Sequence, residues 1–234
     1  MSNIGYSDVQ TTKREAKRRS KPRDAEKTLA LIMDTAETLF ARHGFEGTSL
    51  RQVATGVNMS QPNFYNYFSS KEKLYESVLT RSLEPLINII SAAVRESLSS
   101  DKMETNNERA YEAIDAFVEQ LSKNRNLPGL IYQESISGGK ALAKITKGSF
   151  DQIMGQSMVA FEGAKNQVWP REQIPFLLIA WFNLIFGYFA SANLMKSTFK
   201  VASNPLGKKE LDMQREFLHS VWERLMTPAK KGKK

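Results

Sequence analysis

The chain has 234 residues, a net charge of +8, a pI near 9.5, no Cys and only two His, His43 and His219. This length allows one large or two small domains with ample core. The lack of Cys excludes disulfides, thiolate metal sites and a thiol nucleophile; two His argue against a His-rich metal site, and no metal or cofactor is expected. The polar, basic N-terminus lacks the apolar run of a secretory signal, and a cytoplasmic location is the expectation.

The charge is unevenly placed. Residues 1–23 hold Lys13, Arg14, Lys17, Arg18, Arg19, Lys21 and Arg23 against Asp8 and Glu15, a net +5, while residues 227–234 add Lys230, Lys231, Lys233 and Lys234. The high pI is therefore a property of the ends. Basic ends attract phosphate backbones through counterion release, and solubilising tails have the same composition. Phosphate contact is the expectation for the N-terminal arm and a solubilising role for the C-terminal tail.

In chain order, residues 1–23 are polar and expected to be disordered without a partner, with Pro22 ending the arm. Asp24 can cap a first helix whose inward face runs Leu29, Ile32, Ala36, Leu39 and Phe40, terminated by Gly44. Ser49 and Gln52 then have capping-box spacing, and Leu50, Val53 and Ala54 share one face of a short second helix. Asn58 falls where the chain must turn, and Asn tolerates the left-handed conformation that such turns use. Ser60 can cap a third helix with Pro62 in its first turn, where a missing N–H costs nothing. Phe64 and Phe68 point inward, which leaves Gln61, Pro62, Asn63, Tyr65 and Tyr67 on or near the outer face. A helix this short holds only if neighbours hold it. A rigid short helix with Gln, Asn and Tyr outward suits the major groove of DNA, although spacing alone leaves an ordinary helical hairpin equally open.

The run Gly44-Phe-Glu-Gly-Thr-Ser49, Val53-Ala54, Phe64-Tyr-Asn-Tyr-Phe68 and Ser70-Lys-Glu-Lys-Leu74 resembles the TetR family of tetracycline-repressor-like regulators. The resemblance extends from Asp24 to about Val78, with Asn58-Met59-Ser60 standing where Gly-Val-Ser is usual. It implies a helix-turn-helix domain over residues 24–72, with the motif at about 49–68, followed by a helical ligand-binding and dimerisation domain over 73–226. The fold class is thus all-α. The resemblance also implies residue roles. Arg51 matches a position that reaches a base edge. Thr48, Ser49, Tyr65, Tyr67 and Lys71 match positions that hold phosphates, with Lys71 also at a helix N-terminus. Chemically, Arg51 can bind guanine and Gln61 adenine in bidentate fashion, while Pro62 and Asn63 can touch thymine methyls or neighbouring base edges; Asn66 completes the candidate set without an assigned contact.

Further on, Ser69 and Glu72 form a second capping-box pair opening a long helix with Leu74, Val78, Leu79 and Leu83 inward; Pro85 should kink or break it. Residues 99–107 read as a polar linker. Thr105 and Glu108 again have capping spacing ahead of a stripe of Ala110, Ile114, Phe117, Val118 and Leu121. Pro128 opens a short helix closed by Gly138-Gly139. The next carries Leu142, Ile145, Phe150, Ile153, Met154, Met158 and Phe161 to about Gly163, and Pro170 starts another. Residues 176–192 are almost uninterruptedly apolar and uncharged. Such a run approaches the lower limit for a membrane span, but Asn183 and Gly187 interrupt it, and a helix apolar all round more often lies in a core or an interface. No membrane partner is expected. The last helix, 208–226, has Leu211, Phe217, Leu218, Val221, Trp222 and Leu225 on one side. No strand pattern and no internal repeat appear.

Two further sites follow. Tyr111, Phe117, Tyr132, Met154, Met158, Phe161 and Trp181 are large side chains spread over four helices, with Glu134 and Asn183 able to orient a polar group. They read as a small-molecule pocket or as plain core. The near-continuous apolar helix 176–192 and helix 208–226 suit a four-helix homodimer interface, since one small helix pair reads too few base pairs alone. No Gly-x-Ser-x-Gly, phosphate-binding glycine loop or His-Glu helix pair appears, and the protein is not expected to be an enzyme. The expected function is a homodimeric repressor released from a palindromic DNA operator by a small-molecule effector. The alternatives are a ligand-independent DNA-binding regulator and a small-molecule-binding helical protein without DNA function.

Overall fold

The computed structural model describes residues 7–98, 103–163, 168–200 and 203–226. It is all-α, with no strand among the described residues. The chain divides into two compact units, residues 1–78 and 79–234.

In the first unit, α1 spans Ser7–His43, α2 Leu50–Gly56 and α3 Gln61–Tyr65, and the opening turns of α4 (Lys71–Leu98) complete it. Helix α1 differs from the expected start at Asp24. It continues back through Pro22 to Ser7, along a stretch rich in Lys and Arg, which are good helix formers. The core is built from Ile32, Ala36 and Phe40 of α1, Val53 and Ala54 of α2, Phe64 of α3, and Leu74 and Val78 of α4, each at most 1 % exposed. Leu29 departs from the expected inward face and is exposed, while Met33, one turn further on, is buried.

The corner between α1 and α2 is dictated by two glycines. Gly44 has φ 69°, a left-handed value that suits glycine, and its N–H caps α1 by donating to the Phe40 carbonyl at 2.9 Å. A Cβ on Gly47 would lie 2.3 Å from the His43 carbonyl oxygen, so only glycine fits there. Helix α2 opens with the anticipated capping box. The Gln52 N–H donates to Ser49 Oγ at 3.2 Å, and the Ser49 N–H donates to Gln52 Oε1 at 2.7 Å. It closes at Asn58, φ 53°, with the Met59 N–H on the Ala54 carbonyl (2.8 Å) and the Asn58 N–H on the Thr55 carbonyl (3.1 Å). This is the paired 6→1 and 5→2 pattern of a Schellman end.

Two expected caps move. The Ser60 side chain makes no capping bond on α3. At α4 the capping hydroxyl is that of Ser70, which accepts the Lys73 N–H at 3.2 Å, one residue after the expected Ser69–Glu72 pair.

The second unit holds the rest of α4, then α5 (Met103–Lys123), α6 (Leu127–Ile136), α7 (Lys140–Gly163), a 3₁₀ turn (Arg171–Gln173), α8 (Ile174–Ala190), the short α9 (Ala192–Leu194) leading into a π turn (Met195–Phe199), and α10 (Lys208–Met226). Helix α4 runs unbroken through Pro85. Helix α5 already begins at Met103, ahead of the expected start at Thr105. Packing centres on Val118, Leu121, Leu127, Leu130, Ile131, Ile174, Phe186 and Leu218, all nearly inaccessible.

Because Asn58 sits in the left-handed region, Asn58→Ala is expected to cost about 1 kcal/mol of stability, while Asn58→Gly holds or slightly raises it. Urea melts of the two variants against the parent chain check the difference.

Candidate nucleic-acid interface

Helix α3 has only five residues, far below the length at which a helix persists alone in water. It is pinned from one side. Phe64 is 1 % and Phe68 8 % exposed, with ring centroids 6.3 Å apart. Pro62 occupies the first turn, where no N–H is needed. The opposite side is left to solvent: Gln61, Pro62, Asn63, Tyr65 and Asn66 are exposed and Tyr67 half-buried. Arg51, on α2, is also exposed and makes no ion pair with any described residue. Ser49 is exposed as well, although its hydroxyl already serves the capping box with Gln52.

Two of the residues expected to hold phosphates are engaged within the domain. Thr48 is 2 % exposed, and its hydroxyl donates to the Gly44 carbonyl at 2.9 Å. A buried hydroxyl already satisfied by a backbone carbonyl has no surface to offer, so Thr48 stabilises the corner before α2. The Lys71 ammonium donates to the Phe45 carbonyl at 3.0 Å, lies 4.1 Å from the centre of the Phe45 ring, and stands 3.9 Å from Glu46. Phe45 in turn packs on Tyr75 (5.0 Å) and Phe40 (6.3 Å).

In the C-terminal unit the residues expected to line a pocket fall into separate groups. Tyr111 stacks on His219 at 4.3 Å and donates its hydroxyl to Glu223, and the His219 Nε2 lies 2.9 Å from Asp115. Phe117 meets Phe186 edge to face at 5.8 Å. Tyr132 donates to Asn183 Oδ1 at 3.3 Å, with Phe182 stacked on Phe186 at 4.1 Å. Trp181 packs on Trp222 at 5.7 Å. Together with Leu177, Leu178, Leu225 and Met226 these two indoles line an apolar hollow of about 30 Å³. Met154 and Met158 on α7 are half-buried, and the Phe161 side chain lies outside the described residues. Glu134 needs a correction. It is 4 % exposed and accepts the Ala141 and Leu142 N–H groups at 2.7 and 3.2 Å. It caps α7 across the Gly138-Gly139 turn, so its Oε1 is taken up by the helix end.

Comparison with known proteins agrees with the geometry of the first unit. The model for bacterial regulatory proteins of the tetR family matches residues 32–78. The N-terminal domain belongs to the TetR family. The biofilm operon icaADBC negative transcriptional regulator IcaR of Staphylococcus aureus is 39 % identical over 59 residues, 25 % of this chain and 32 % of IcaR. The transcriptional repressor KstR2 of Rhodococcus jostii is 33 % identical over 86 residues, 36 % of this chain and 42 % of KstR2. These matches thus span about a third to two fifths of each relative's length. Over more than four fifths of the chain the fold is that of solved TetR-like proteins. A TetR-like transcriptional regulator from Rhodococcus sp. RHA1 superposes with a TM-score of 0.58 at 17 % identity, covering 85 % of this chain and 95 % of its own. The fatty acid degradation regulator FadR of Bacillus halodurans gives 0.58 at 15 % identity, covering 82 % and 93 %.

Loss of the α7 cap in Glu134→Ala is expected to lower stability by about 1–2 kcal/mol, with Glu134→Gln in between, read by urea denaturation. The Tyr111 phenol is pushed up to about 12, first by burial and then by its hydrogen bond to Glu223 and that carboxylate's charge. Because the folded value is raised, the protonated phenol's contribution is complete below the ordinary tyrosine value near 10 and is lost as pH climbs through about 12. Glu223→Gln should move the tyrosinate absorbance transition toward lower pH.

Proposed function

We propose that this protein is a sequence-specific DNA-binding transcriptional regulator, acting as a repressor, whose α2 and α3 read the major groove. The observation that carries the reading is the five-residue helix α3, held by two aromatic anchors with Gln61, Pro62, Asn63 and Tyr65 outward. Its placement within the segment that matches the family model supports it, as does the printed role of IcaR and KstR2 as negative regulator and repressor. In this reading Arg51 and Gln61 contact base edges, Pro62, Asn63 and Asn66 lie against bases, and Ser49, Tyr65 and Tyr67 meet phosphates. The basic stretch ahead of residue 24 adds sequence-independent attraction to the duplex.

The protein acts as a homodimer on a palindromic operator. In support, α8 exposes Phe176 (73 %) and Ile179 (60 %), and α10 exposes Met213 (49 %) and Phe217 (51 %). Large apolar side chains left in water at this density mark an association surface. Residues 171–190 are also long and apolar enough to cross a membrane, with a mean hydropathy of 1.6 and 28 % of the window buried. One such helix is equally a property of an interface helix, and α10 offers a second apolar face to pair with it.

Release by a small molecule is the preferred mode of control, with the Tyr132–Asn183 pair as the polar element of its site and the Phe117–Phe186–Phe182 ring cluster as the aromatic one. The second reading is a regulator that answers to no ligand; the hollow between Trp181 and Trp222 has about 30 Å³, room for water and not for a metabolite, and is not itself an effector site.

Selection of bound fragments from random DNA is expected to return one palindromic sequence. At fixed salt, Arg51→Ala and Gln61→Ala each lose about tenfold or more of the preference for it over random DNA. Recovery of no common sequence rejects the reading. Sedimentation at micromolar concentration should show a dimer, and Phe176→Glu with Phe217→Glu should yield monomers. Thermal shift against a metabolite set separates ligand control from its absence.

A further inference from the structure

We propose that Lys71 is a positioning residue for the DNA-reading helices and not a phosphate ligand. The inference rests on the DNA-binding reading above and changes the part that one residue plays in it.

A lysine in the first turn of a helix at a DNA-facing end is ordinarily assigned to a phosphate. Here three features turn the ammonium inward. It donates to the Phe45 carbonyl at 3.0 Å, it lies over the Phe45 ring at 4.1 Å, and only 22 % of its side chain is exposed. The Glu46 carboxylate at 3.9 Å is 94 % exposed and adds little. The carbonyl and the ring belong to one residue, so Lys71 grips Phe45 from its backbone and its side chain at once. A lysine cation over an aromatic face and on a carbonyl is worth more where water is partly excluded.

Phe45 is the keystone of the corner that launches α2. Its carbonyl also accepts the Thr48 N–H at 3.3 Å, and Thr48 closes the corner by its hydroxyl on Gly44. Ser49, the next residue, caps α2, and α2 carries Arg51. Its ring rests on Phe40 of α1 and Tyr75 of α4. Lys71 therefore ties the first turn of α4 to the start of α2 through a single residue. Moving the ammonium out to a phosphate would break both contacts with Phe45.

The two roles separate experimentally. A phosphate ligand, when removed, makes the slope of log K against log salt less steep by about one and leaves sequence preference intact. A positioning residue leaves the slope and lowers the preference. Lys71→Met keeps the aliphatic stem and removes the charge. We expect it to lose about tenfold of the preference for the selected sequence over random DNA with an unchanged salt slope. Lys71→Arg, which can hold both the ring and the carbonyl, should restore the preference. Phe45→Leu, which leaves the Lys71 charge in place, should reproduce the Lys71→Met pattern and serves if that variant fails to fold. A salt slope reduced by about one with preference retained, or no change in either quantity, overturns the proposal. Hydrogen exchange without DNA decides the clamp separately. The Thr48 amide should exchange faster in Lys71→Met, and equal rates refute the clamp. Were the parent chain to select no DNA at all, the functional reading would fail while the exchange result still judged the clamp.

Discussion

A helix of five residues has no stability of its own, so whatever α3 does depends on Phe64 and Phe68 being buried beneath it. Those two rings fix the rotation of the helix and thereby decide which side chains face out. The rest of the N-terminal unit serves the same constraint. Ile32, Ala36 and Phe40 of α1 and Val53 and Ala54 of α2 build the apolar floor. The left-handed Asn58 sets the turn between α2 and α3. Gly56 lets α2 come close to α1, since a Cβ there would stand 2.8 Å from the Thr35 methyl. Rigid presentation of a few polar groups, rather than any chemical reactivity, is what this arrangement offers.

Much of this was legible in the sequence, because the signals were local. Ser49 and Gln52 are three residues apart, and the cap they make needs nothing else. Asn58 announced a turn through its own backbone preference. What the sequence hid was mostly set by contacts across the chain. Lys71 reaches Phe45 over 26 residues, and no spacing rule connects them. Thr48 looked like a surface hydroxyl because nothing in its neighbours says that it folds back on Gly44. Ser60 stands where a cap belongs and makes no capping bond, so residue type alone misled. At α1 the helix-forming residues before Pro22 outweighed the break that proline suggested.

The C-terminal unit shows the same division. Its helices fell close to the expected bounds, since Pro128, Gly138-Gly139 and Pro170 punctuate the chain plainly. Several of the candidate pocket residues pack on one another, as Phe117 does on Phe186 and Trp181 on Trp222, because large side chains are chosen for filling space as often as for lining it. Glu134 is instructive: a buried carboxylate invited a ligand, yet it answers two backbone N–H groups seven and eight residues on. On the other side, α5 and α10 are laced by polar contacts. Asn107 meets Trp222, Asp115 meets His219, and Glu119 meets Arg215. That ladder fixes the register of α10 while leaving Met213 and Phe217 exposed.

The tryptophans have a practical corollary. All three in the chain gather around the far end of α10: Trp181 and Trp222 touch, and the Trp169 indole donates to the Leu225 carbonyl at 2.7 Å. None lies in the N-terminal unit. Emission excited at the red edge of the absorption band therefore comes from one locality of the C-terminal unit, whereas Tyr65, Tyr67 and Tyr75 are the chromophores beside the reading helices. The molecule comes with an optical label on one unit only, and the melting of the C-terminal unit can be followed by itself without attaching a dye.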